Sequence, residues 1–152
     1  MRWTQGEFTV DTDKATLSVD VIHAYLSGSY WSPCIPRAVV ERSITHSICF
    51  GLYDGPAQIG FARVVTDQAT YAYLADVFVL PDWRGRGLSK FMMSCIRSHP
   101  DLQNLKRWAL ATRDAHSLYA QFGFAAPGRP DFYMEIVDME VFKMWRQLGE
   151  SV

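Results

Sequence analysis

The sequence predicts an α/β domain in which one mixed β-sheet carries helices on both faces. Two periodicities share the chain: Ile48, Phe50 and Leu52 alternate like a strand, whereas Leu88, Phe91, Met92, Cys95 and Ile96 recur at helical spacing. The linkages also differ along the chain. Asp54-Gly55 is a two-residue hairpin signal between early strands, but later strands are separated by helical segments and need crossovers. Antiparallel and parallel neighbours must then share one sheet. With 152 residues, 49% hydrophobic and 20% charged, the chain holds one core, so residues 1–152 are expected to form a single domain.

Phe8 to Val10 reads as an opening strand. Ser18 is an N-cap flanked by Leu17 and Ile22 as a hydrophobic staple. Val21, Ile22, Tyr25 and Leu26 share the face of the helix that follows, and Gly28 ends it. Pro36 suits the first turn of a second helix with an inner stripe of Val39, Val40, Ser43 and Ile44. Strands follow around Ile48 to Leu52, over Ile59 to Val65, and over Tyr71 to Leu80. The last of these is apolar on both faces except at Asp76, which predicts a place in the middle of the sheet. A loop, Pro81 to Gly87, precedes a helix that stops at His99-Pro100. Trp108, Leu110 and Thr112 alternate as a further strand. Ala115, Leu118, Tyr119 and Phe122 make a short helix closed by Gly123, with Phe124 folding back. Phe132 to Ile136 reads as a last strand, and Val141, Phe142, Trp145 and Leu148 stripe a terminal helix that docks on its own sheet or on a second subunit.

Fifteen basic and sixteen acidic side chains leave a net charge of -1 without a basic block, which argues against nucleic acid or an anionic membrane as partner. No apolar run approaches the roughly 20 residues of a membrane helix. The first residues carry no secretory pattern, and Cys34, Cys49 and Cys95 fit neither a disulfide framework nor a zinc ribbon. A cytoplasmic protein with free thiols is expected. His23, His46 and His99 have no metal-ligand spacing, and no metal is expected.

Chemistry concentrates at Arg84-Gly85-Arg86-Gly87-Leu88-Ser89, between a strand and a helix. Successive N–H groups of such a turn can converge on an anion, and the helix start adds orphan donors and the positive end of its dipole. A Walker loop would need Gly-Lys-Ser/Thr, and a dinucleotide fingerprint would need a third glycine where Lys90 stands.

The segment from Ala75 to Ser89 resembles the acetyl-CoA signature of the GNAT N-acetyltransferase superfamily, Gln/Arg-x-x-Gly-x-Gly/Ala, with Arg84, Gly87 and Ser89 at its defined positions. Ser89 departs from Gly/Ala but is small. Ala115 to Phe124 is similar to the family's Ala-x-x-Leu-Tyr-x-x-x-Gly-Phe helix and turn, with Thr112 where Asn is frequent. The resemblance spans residues 46–136. It implies a centrally splayed sheet of six to seven strands, with coenzyme A entering the gap between the family's fourth and fifth strands. The backbones of Val77, Phe78 and Val79 would pair with its pantetheine arm. The N–H groups of Gly85, Arg86, Gly87, Leu88 and Ser89 would hold its diphosphate, beside Arg84 and Thr112.

The implied reaction is direct attack of an amine on acetyl-CoA. Tyr119 matches the family's general acid, and Asp76 is the candidate base, directly or through water; its alternative is an ion pair with Arg63 or Arg113. His116 is a weaker base candidate on the polar side of its helix. Tyr30 and Trp31, between the first helices, are candidates for the acceptor pocket, as are Tyr71, Tyr73 and Tyr133. A homodimer is expected, as in many relatives. The alternative function is a non-catalytic acyl-CoA sensor of the same fold.

Overall fold

The computed structural model describes residues 1–150. Its elements are β1 (Arg2–Gln5), β2 (Phe8–Asp11), α1 (Val19–Ser27), α2 (Arg37–Thr45), β3 (Ile48–Asp54), β4 (Ala57–Thr66), β5 (Tyr71–Val79), α3 (Leu88–Ser98), β6 (Arg107–Ala109), α4 (His116–Ala120) and α5 (Met139–Glu150). The six strands form one sheet in chain order. The first five are antiparallel neighbours, and β6 joins β5 in parallel after the α3 crossover.

Local signals place the helices as the sequence predicts. The Ser18 hydroxyl accepts from the Val21 N–H at 3.4 Å, and Gly28 caps the other end of α1. Pro36 is the N-cap of α2. On one face of the sheet Ile22, Leu26, Val40 and Ile44 pack on Cys49, Phe61 and Phe78. On the other, Leu88, Met92, Cys95, Ile96 and Tyr119 pack on Phe50, Leu52, Val64 and Leu74. Burial pushes the Cys49 and Cys95 thiols up to about 11, so both pack as inert thiols.

Four expectations change. Arg2–Gln5 is an additional strand, turned back by Gly6 at φ 60 to pair with β2. The hairpin turn is Gly55-Pro56 rather than Asp54-Gly55, because Asp54 pairs with Ala57. β5 is the penultimate strand, not a central one, so its two-sided apolarity reflects helices on both faces. The expected strand over Phe132 to Ile136 is absent: Pro130–Phe132 is a 3-10 turn, and Met134 and Ile136 are each 98% exposed. Pro130 fixes the chain in that turn, and the segment does not meet a strand edge. The sheet therefore has six strands. On α5, Trp145 packs at the edge of the α1–α2 core.

Gly60 lets two strands approach closely. A Cβ there would stand 2.7 Å from the Phe78 carbonyl oxygen and 3.0 Å from Leu52 Cδ2. Gly60→Ala is expected to cost about 1–3 kcal/mol of stability, read as a lower urea midpoint at constant m-value.

Candidate active site

The site arises where the sheet comes apart. β6 pairs with β5 only from Tyr71↔Arg107 to Tyr73↔Ala109. Beyond Tyr73 the two strands lose their ladder, and a cavity of about 530 Å³ opens between Leu74–Val77 on one side and Leu110–Ala115 on the other. The register with β4 slips between Phe61 and Arg63, and Asp76 there takes a left-handed φ of 54°. This bulge bends β5 beside the gap.

The turn after β5 is pinned from three sides. Trp83 Nε1 donates to Asp54 Oδ2 at 3.0 Å. Arg84 Nε donates to the Val79 carbonyl and its Nη2 donates to the Tyr25 hydroxyl, both at 2.9 Å. Gly85 (φ 76) and Gly87 (φ 75) are left-handed, and no atom lies within 4 Å of a Cβ built on either. Their peptide groups thus border open space at the start of α3. Arg86 is exposed, with a long contact of 3.5 Å to the Asp82 carbonyl.

The cavity walls carry the remaining groups. Tyr119 lines it, is 8% exposed, and has its hydroxyl pushed up to about 12 by burial, with lesser contributions from Tyr30 and Asp114. It is a neutral phenol at any ordinary pH. Burial likewise raises the Tyr73 hydroxyl. Asp76 Oδ2 accepts from Arg63 Nε at 2.5 Å and Oδ1 accepts from Trp31 Nε1 at 3.1 Å. Across the mouth, the Arg113 N–H donates to the Tyr30 hydroxyl at 3.0 Å, and its guanidinium lies 4.0 Å from the Tyr30 ring centre.

A family profile described as an acetyltransferase (GNAT) domain matches residues 45–126. The chain belongs to the GNAT acetyltransferase family. A candidate acetyltransferase of Gibberella zeae is 33% identical over 140 residues, covering 78% of this chain and 79% of that protein. A crystal structure from Xanthomonas campestris pv. campestris, a candidate acetyltransferase of the GNAT family, is 50% identical with a TM-score of 0.85, covering 86% of this chain and 93% of the other. A GNAT protein from Elizabethkingia anophelis with acetyl-CoA bound shares the fold at TM-score 0.63 and 13% identity, over 88% and 90% of the two chains.

In this GNAT chain Tyr30, Trp31, Tyr73, Asp76, Val77, Thr112 and Tyr119 all border the cavity. Phe78 and Val79 turn their side chains into the two cores, leaving only backbone to contribute. The Leu88 side chain is core, so only its N–H is at hand. Arg84 spends its side chain on Val79 and Tyr25, holding the turn against the strand. The Thr112 hydroxyl accepts the Ala115 N–H at 3.1 Å and so closes the turn that leads into α4. Tyr71 and Tyr133 lie outside the cavity lining, and His116 is exposed. Of the two ion-pair partners the sequence offers Asp76, the structure selects Arg63, one strand away beside the bulge; Tyr25 had no site role in the sequence reading.

Among the described residues no three His, Cys, Asp or Glu side chains are grouped to hold a metal. No described helix is long and apolar enough to cross a membrane.

Proposed function

We propose that this chain is an acetyl-CoA-dependent N-acetyltransferase acting on a primary amine of a small molecule or protein. One observation carries the reading: past Tyr73, β5 stays paired with β4 but has no strand on its β6 side, and that free edge leads from the Tyr119 cavity to the glycine turn. An extended thioester arm fits such an edge as a missing strand would, through the backbones of Val77, Phe78 and Val79. The N–H groups from Gly85 to Ser89, with Arg86 beside them, suit its diphosphate. Thr112 borders the same gap and can still donate its hydroxyl proton.

Holding thioester and amine together in the cavity supplies much of the acceleration. The neutral amine attacks the acetyl carbonyl, the C–N bond forms, and the C–S bond breaks. Tyr119 gives its proton to the departing sulfur. Each Asp76 oxygen already holds a donor, which favours water as the first acceptor of the amine proton over direct capture by Asp76. Tyr30, Trp31 and Tyr73 wall the acceptor.

Acetyl-CoA at about 100 times its Kd should add about 2.7 kcal/mol of stability. A thermal-shift series with acetyl-CoA, CoA, ATP and NAD reads this directly; a shift with ATP or NAD instead would overturn the ligand. Thiol release should then depend on an added amine. Binding without release on any amine, amino acid, polyamine or aminoglycoside would select the sensor. Three unbridged cysteines support a cytoplasmic location. The exposed Met134, Ile136 and Leu148 support a homodimer, to be weighed by light scattering.

A further inference from the structure

Asp76 is an expensive residue for its place. Its side chain is 6% exposed, in a strand, with its backbone in a conformation that strands avoid. Packing alone would be served by an apolar residue. What the carboxylate does is tie β5 to β4 and to the α1–α2 loop directly, and to Ser47 through Arg63. Ser47, just before β3, accepts from Arg63 Nη1 at 3.3 Å; Arg63 on β4 donates through Nε to Oδ2 of Asp76 on β5; and Oδ1 takes the indole N–H of Trp31 from the α1–α2 loop. One donor on each oxygen fixes the plane of the carboxylate, and that plane fixes the indole.

We propose that Arg63 and Asp76 are positioning residues that hold Trp31 as a rigid wall of the acceptor end of the cavity, selecting amines with a flat apolar body. Calling that end the acceptor's rests on the acetyl-transfer reading; the indole clamp itself does not. The loop needs such a clamp. Between Gly28 and Pro36 it has no regular helix or strand, and Cys34 is left-handed at φ 59. Trp31 meets Tyr30 edge-on at 4.9 Å, and Tyr30 is tied across the mouth to Arg113. The wall is therefore continuous from the buried Asp76 to the exposed Arg113. The two arginines of the cavity each face a carboxylate, Arg63 with Asp76 and Arg113 with Asp114 at 3.4 Å. The largest surfaces left for an acceptor are the rings of Tyr30, Trp31, Tyr73 and Tyr119, beside the smaller Ser32, Leu110 and Thr112.

The test compares wild type with Asp76→Ala, Asp76→Asn, Arg63→Met, Arg63→Lys and Trp31→Phe. Calorimetry with acetyl-CoA reports that each variant is folded. Subtracting Trp31→Phe isolates Trp31 emission, whose acrylamide quenching constant is expected to rise about twofold or more in Asp76→Ala and Arg63→Met as the indole is released. Arg63→Lys, which keeps the charge, should rise less. With 2-phenylethylamine and methylamine as probe acceptors, kcat/KM should fall about tenfold more for the aromatic amine, mostly through KM, because methylamine is too small to touch the wall. Asp76→Asn keeps an oxygen for Trp31, so Arg63→Met serves if the alanine variant fails to fold. Unchanged quenching in folded Asp76→Ala or, should that variant not fold, in Arg63→Met would overturn the clamp. An equal kcat loss for both amines, with one ionisation gone from the pH profile, would make Asp76 the base instead. Thiol release from neither amine in wild type, with quenching still rising in the variants, would remove acetyl transfer and leave the clamp standing.

Discussion

Tyr119→Phe is expected to lower kcat at least about 100-fold while acetyl-CoA binds within twofold of wild type. The substitution removes one oxygen and nothing else. The ring keeps its place, 6.0 Å from Phe124 and buried in the larger core. Only the proton for the departing sulfur is lost. Because burial raises this phenol to about 12, it is protonated throughout any practical assay. Its ionisation should leave no falling limb in kcat below about pH 11, and the rise on the acid side belongs to the amine. The same shift has a sign for stability. The unfolded phenol loses its proton near pH 10 and the folded one near 12, so stability should decline as pH climbs through that window. Single-turnover kinetics across pH would check the first point. A variant within threefold of wild type would remove Tyr119 from the chemistry.

Gly87→Ala should weaken acetyl-CoA binding at least about tenfold, the loss of roughly one good hydrogen bond to a charged group. Gly87 is the N-cap of α3 at φ 75, where an L-residue pays about 1–2 kcal/mol. No protein atom lies within 4 Å of the added methyl, so the fold has room for it. The added carbon instead projects into the space read as the diphosphate's. Gly55→Ala is the control. It sits at φ 55 in a hairpin with the same open surroundings, so it should cost comparable stability with no change in affinity. Isothermal titration of both separates strain from obstruction. Equal affinities would show that the turn does not touch the nucleotide.

Much of this was readable in advance because the signals are local. Ser18 as a cap, Gly87 before α3 and Gly123 before Phe124 each act within a few residues, and each stands where the pattern put it. The paired motifs at Arg84–Ser89 and Ala115–Phe124 identified the family and drew Tyr119 to the cavity. What escaped depends on contacts between distant segments. Arg2–Gln5 is a strand only because β2 lies beside it, and its own composition says little. Phe132 to Ile136 alternates correctly yet does not lie along a strand edge. The ion pair of Asp76 with Arg63 was one of the two readings the sequence left open, but its bond to the Trp31 indole spans 45 residues and no spacing rule encodes it. Tyr25 read as core packing, and it does stack on Phe78 at 3.9 Å, but its hydroxyl also steadies Arg84.

The succession of strands in the sheet bears on how the molecule comes into being. Each of β2 to β5 lies against the strand synthesised just before it, and the β1–β2, β3–β4 and β4–β5 pairings close short loops and can form as the chain emerges. β3 must wait for α1 and α2, and β6 for α3; β6 then gains three residue pairs. The recess for the reactants is consequently the last part assembled, laid onto a platform that has already set.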